Sequence, residues 1–102
     1  MKEPRRVDAR GGTPDPGTLR EIADHLRAGG LAAMPTETVY GFSCIPEAGP
    51  IRRLQQLKGR GVDQPFLILI PHPGVVPELA WGEDSRALAE AFWPGALTVI
   101  LE

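Results

Sequence analysis

Leu31-Ala32-Ala33-Met34-Pro35-Thr36-Glu37-Thr38-Val39-Tyr40-Gly41-Phe42 decides how this chain is read. Its first four residues are apolar and follow directly on Gly29-Gly30, as a short buried strand would. Behind them, Pro35 and Gly41 bracket a polar patch. Open α/β sheets place ligands just past the carboxyl end of a strand, so this patch is a candidate site. The hydroxyls of Thr36 and Thr38 can hydrogen-bond a small polar ligand, and backbone N–H groups freed by Gly41 can add to them. The same residues also suit a turn in which threonine hydroxyls cap the strand, and spacing alone favours that reading.

Upstream of the stretch, Thr18 with Glu21 forms a capping-box pattern. Leu19, Ile22, Ala23 and Leu26 then recur on one helical face, and Gly29-Gly30 stops the helix. Residues 1–17, broken by Gly11-Gly12, Pro14, Pro16 and Gly17, read as a flexible N-terminal tail. Downstream, a second helix is expected from Pro50, with Ile51, Leu54 and Leu57 as its apolar stripe and Gly59-Arg60-Gly61 beyond its end. Phe66–Ile70 is a continuous apolar run, the pattern of a strand covered on both faces. A weaker helical stretch covers Val75–Ala80. Another helix opens near Asp84 or Ser85, carries Leu88, Ala89 and Phe92, and closes at Pro94-Gly95. Ala96–Leu101 reads as a last strand. Helix and strand alternate throughout, which predicts an α/β layered domain over 18–102. A hydrophobic strand at the C-terminus, with nothing after it to cover it, is expected of the front portion of a larger domain.

The chain has 102 residues, with Lys+Arg 11 against Asp+Glu 13, which fits one domain and excludes a basic or acidic tail. The charge is uneven. Residues 71–102 carry Arg86 against five acids, so only the front two-thirds suits an anion such as phosphate. No apolar stretch has the roughly 18–20 residues of a membrane span, and Met1–Arg6 has no signal-like apolar core behind it. A single cysteine, Cys44, points to an intracellular, reducing compartment, here the cytoplasm. Cys44, His25 and His72 lack metal-ligand and nucleophile-triad spacing, so no protein metal site is expected.

Lys58 and Arg60 flank Gly59 at a helix end. Two roles fit them. They can complement the helix dipole, or they can bind phosphate, with lysine as a point charge and arginine as a planar fork. No Gly-x-x-x-x-Gly-Lys-Ser/Thr is present, so a P-loop is excluded.

Taken in order, Pro35-Thr36-Glu37-Thr38-Val39-Tyr40-Gly41, Lys58-Gly59-Arg60 and Phe92-Trp93-Pro94-Gly95-Ala96-Leu97-Thr98 resemble the YrdC-like family. The resemblance runs from about Thr18 to Leu101. It implies an α/β domain with a twisted mixed sheet around a concave cavity, of which this chain is the N-terminal portion. Members are threonylcarbamoyl-AMP synthases, which convert L-threonine, bicarbonate or CO2, and ATP into L-threonylcarbamoyl-AMP and pyrophosphate. A transferase partner then passes the threonylcarbamoyl group to tRNA. By position, Thr38 matches the threonine that contacts L-threonine, with Thr36 beside it. Lys58 and Arg60 match a Lys-x-Arg pair on the ATP phosphates, and Gln64 matches a polar position near the nucleotide. Magnesium is expected with ATP. Gly61 stands where the family usually has proline, and Leu69 where some members have histidine. The family's later arginine and Ser-x-Asn motif do not occur in these residues. Two other readings are a double-stranded RNA or tRNA-binding module and an inactive truncated remnant of the synthase.

Overall fold

The computed structural model of the chain describes residues 3–36, 39–59, 61 and 66–101. Along them run α1 (Pro16–Arg27), β1 (Ala32–Pro35), β2 (Tyr40–Ser43), α2 (Ala48–Lys58), a short 3-10 turn (Pro73–Val75) and α3 (Glu83–Phe92). The fold class is α/β, and β1 and β2 pair as a small antiparallel sheet. The chain divides into two compact units, Met1–Ala32 with Phe42–Gly59, and Ala33–Gly41 with Arg60–Glu102.

In the first unit, Asp15 rather than Thr18 caps α1. Its carboxylate accepts from the Thr18 N–H at 3.1 Å and from the Thr18 hydroxyl at 2.7 Å. Pro16 follows in the first turn, where a missing N–H removes no helical bond. Asp15-Pro16 and Thr18/Glu21 are both start signals. The proline decides between them, because it fits a helix only at that end. Glu21 pairs instead with Arg5, joining the lead-in segment to α1. At the far end, Gly29 N–H reaches the Leu26 carbonyl and Gly30 N–H the His25 carbonyl, both at 2.9 Å. This Schellman arrangement requires the left-handed backbone of Gly29, φ 88°. At Gly30 a Cβ would lie 2.3 Å from the tip of the exposed His25 ring, which would swing aside and give up the contact of its Nε2 with the Leu31 carbonyl, now 2.8 Å away.

α2 begins at Ala48, slightly before the expected Pro50, which sits buried in its first turn. Leu54 is its buried leucine, whereas Leu57, expected in the same stripe, is exposed. Gly59 ends the helix in the left-handed conformation, φ 64° and ψ 22°. The Arg53 guanidinium donates to the Gly29 carbonyl, linking α2 to the end of α1.

In the second unit, α3 starts at Glu83 with Gly82 as its cap, just ahead of the expected Asp84 or Ser85. The Ser85 hydroxyl accepts from Gly82 N–H at 2.8 Å and donates back to its carbonyl at 3.1 Å. Ala89 is buried, while Leu88 and Phe92 are exposed. Trp81 and Trp93 meet edge to face, centroids 6.1 Å apart and planes at 89°. Each indole N–H has a carbonyl partner, Val76 for Trp81 at 3.1 Å and Leu97 for Trp93 at 2.7 Å.

Two expected strands are absent among the described residues. Neither Phe66–Ile70 nor Ala96–Leu101 forms a strand; Leu67 is 71% exposed and Ile100 89%. The expected helix over Val75–Ala80 is a 3-10 turn at Pro73–Val75 followed by further turns. Apolar composition marks a segment able to be a buried strand, but a strand also needs a hydrogen-bonded neighbour. The sheet of β1 and β2 does not extend to either run. β2 is the opposite case. Tyr40-Gly41-Phe42-Ser43 pairs with β1 where the sequence suggests only a polar patch. Among the described residues the sheet is this two-stranded antiparallel hairpin, smaller than the expected twisted mixed sheet.

Candidate functional site

The polar stretch after β1 is the connection of the hairpin. Pro35 ends β1, Tyr40 starts β2, and Thr36 and Val39 face each other between them. Thr36 N–H donates to the Val39 carbonyl at 2.9 Å. The Thr36 hydroxyl donates to that same carbonyl, and Val39 N–H donates back to the hydroxyl oxygen at 3.3 Å. Thr36 is half-buried, whereas Tyr40 is 79% exposed. Glu37 and Thr38, between them in sequence, lie outside the described residues, and so the expected L-threonine contact at Thr38 does too.

Lys58 is the last residue of α2 and is exposed. The left-handed Gly59 turns the chain immediately after it. Arg60 and Gln64, the other expected nucleotide residues, also lie outside the described residues. Thr36 belongs to the second unit and Lys58 to the first.

Other chemistry-bearing side chains do not form a site. Burial pushes the Cys44 thiol up, and nearby Arg53 offsets this only in part. Cys44 therefore stays protonated at neutral pH and is a poor nucleophile. Among the described residues, no group of three or more His, Cys, Asp or Glu is placed to hold a metal ion. A shallow, open depression of about 710 Å³ lies between the first turn of α3 and Ile100-Leu101. Glu83 and Asp84 line it, so it repels a polyphosphate, and none of the expected site residues borders it. No helix among the described residues is long and apolar enough to cross a membrane.

Residues 24–102 match the Sua5/YciO/YrdC family, described as "Telomere recombination". The chain belongs to this family. It is 38% identical over 86 residues to the threonylcarbamoyl-AMP synthase of Pyrococcus abyssi (strain GE5 / Orsay), covering 81% of this chain and 25% of that protein. With the threonylcarbamoyl-AMP synthase of Bacillus subtilis (strain 168) it shares 35% over 92 residues, 87% of this chain and 26% of the relative. With that of Coxiella burnetii (strain RSA 331 / Henzerling II) it shares 37% over 84 residues, 79% of this chain and 45% of the relative. The chain thus spans between a quarter and a half of the length of these relatives. No solved structure matches it. The Sua5/YciO/YrdC match takes in the hairpin, α2 and α3, and so every residue expected to touch substrate.

One feature of the site has no signal in the sequence. The Thr36–Val39 contact is the turn-capping role that spacing favours; what spacing does not give is Val39 as the partner, with its carbonyl accepting from the Thr36 hydroxyl and its N–H donating to it.

Proposed function

We propose that the protein carries the L-threonine- and ATP-binding part of a threonylcarbamoyl-AMP synthase. The observation that carries this reading is the identity with relatives of that name over about four-fifths of the chain. In the proposed reaction, the L-threonine amine attacks CO2, or bicarbonate with loss of water, to give a carbamate. A carbamate oxygen then attacks the α-phosphorus of MgATP, and pyrophosphate leaves. Negative charge builds on the phosphates as that bond breaks, and fixed cations stabilise it.

Lys58, Arg60 and Gln64 hold the nucleotide in this reading. A lysine at the end of α2, followed by a left-handed glycine, is presented at a turn rather than along a continuing helix. Lys58 and Arg60 are therefore free of the roughly 200° separation that residues two apart have on an α-helix. Thr38 contacts L-threonine from the hairpin connection that Thr36 opens. The product passes to a transferase partner and tRNA, which places the protein in the cytoplasm.

The experiment is pyrophosphate release by the purified chain with MgATP. Release that requires both L-threonine and bicarbonate, with threonylcarbamoyl-AMP identified by mass, is the expected result. Release indifferent to L-threonine, or no release and no L-threonine binding by calorimetry, rejects the reading.

A further inference from the structure

We infer that Thr36 is a positioning residue, which holds the hairpin connection in shape rather than touching the substrate. This rests on the synthase reading for its functional consequence but not for its geometry.

Facing residues of an antiparallel pair alternate between hydrogen-bonded pairs, which exchange both backbone N–H···O bonds, and pairs that exchange none. Thr36 and Val39 make one such bond, from Thr36 N–H to the Val39 carbonyl at 2.9 Å. Val39 N–H in turn goes to the Thr36 hydroxyl oxygen at 3.3 Å. The hydroxyl hydrogen goes to the Val39 carbonyl. One side chain therefore acts as donor and acceptor between the two residues.

A hydroxyl has one hydrogen to donate. That of Thr36 is engaged within the hairpin. A carboxylate or carbamate oxygen only accepts, so Thr36 cannot donate to either without opening the connection. Serine preserves both bonds. Valine keeps the shape of threonine but leaves Val39 N–H without its partner. Thr38 falls between Thr36 and Val39 in the sequence, so in the synthase reading a loosened Thr36–Val39 contact spreads the positions open to its hydroxyl and weakens L-threonine binding.

The test uses the full chain and two variants, Thr36→Ser and Thr36→Val. Solvent exchange and temperature dependence of the Val39 and Thr36 amide protons are read by NMR without ligand. L-threonine and ATP affinities are read by calorimetry. Thr36→Val should speed Val39 amide exchange in the ligand-free protein, weaken L-threonine roughly tenfold and leave ATP affinity unchanged. Thr36→Ser should match wild type in all of these. If Thr36→Val loses L-threonine affinity while the ligand-free Val39 amide is unchanged, the hydroxyl contacts substrate and the inference is overturned. Unchanged amide exchange with unchanged affinity overturns it as well. If the wild-type chain binds no L-threonine, the synthase reading fails, and the amide measurements alone still decide whether Thr36 holds the connection.

Discussion

At the residue scale, three side chains carry sharply different expectations. Thr38→Val removes a hydroxyl and keeps the shape. Losing a hydrogen bond to a charged ligand costs about 1.5–3 kcal/mol, so L-threonine should bind tenfold weaker or worse by calorimetry. Lys58→Ala and Arg60→Ala separate the two roles that a pair of cations at a helix end can have. If both only complement the dipole of α2, each costs at most about 1 kcal/mol of stability and leaves turnover intact. If both bind phosphate, pyrophosphate release falls steeply, and Arg60→Lys does not restore it, because the planar fork is lost. Wild-type release by the double alanine variant would leave only the dipole role. Gly30→Ala tests packing rather than chemistry. Its new Cβ would meet the tip of the exposed His25 ring at 2.3 Å, so the ring swings aside and releases the Leu31 carbonyl, and the melting temperature should fall only slightly. His25→Ala alone should cost about as much, and the double variant no more than either. The motif residues could be found by reading the sequence because their types and order are unusual. The turn-capping role of Thr36 is the one its spacing favours, but its partner Val39 is not legible, because the spacing names no particular acceptor.

At the scale of the elements, the three long helices and β1 were readable, whereas the other expected strands and the short helix over Val75–Ala80 were not. A helix satisfies its backbone within its own sequence, so periodicity, caps and glycine stops report it locally. α1, α2 and α3 all appear within about two residues of expectation, and the shift at α1 comes from the competition between Asp15 and Thr18 as caps. A strand is satisfied by a neighbour distant in sequence. Phe66–Ile70 and Ala96–Leu101 have the right composition but form no strand among the described residues, whereas β2 has modest composition and β1 beside it. The Asp15 cap also makes α1 sensitive to acid. Hydrogen bonds from the Thr18 hydroxyl and N–H hold the Asp15 carboxyl below the usual carboxylate range. Its folded pKa is depressed. The contribution is therefore present above the unfolded aspartate pKa near 3.9, and is lost as pH falls through the lower, folded value. Carbon chemical shifts of the first turn of α1 should move toward coil over that acid range. Asp15→Asn should keep the cap and flatten the dependence, since asparagine caps without titrating.

For the whole molecule, the exposed area is the telling quantity. Leu67, Ile68, Leu69 and Ile100 of the second unit are each more than three-fifths exposed. The purified chain should therefore bind an environment-sensitive apolar dye in native buffer, or sediment above monomer mass. Leu67→Lys with Ile100→Lys should reduce both signals. A dye-silent monomer melting cooperatively above about 65 °C would contradict this. The tryptophan pair bears on how such melting is followed. Trp81 and Trp93 are the only tryptophans of the chain, and both lie in the second unit, as does its one tyrosine, Tyr40. The light this protein emits therefore comes from one half of it. Far-ultraviolet circular dichroism, by contrast, is dominated by α1 and α2 of the other half together with α3. The two optical signals thus watch different bodies on one chain. Their melting curves superimpose only if the halves lose their structure together. A gap between the curves would measure, without any label or substitution, how far one half outlasts the other.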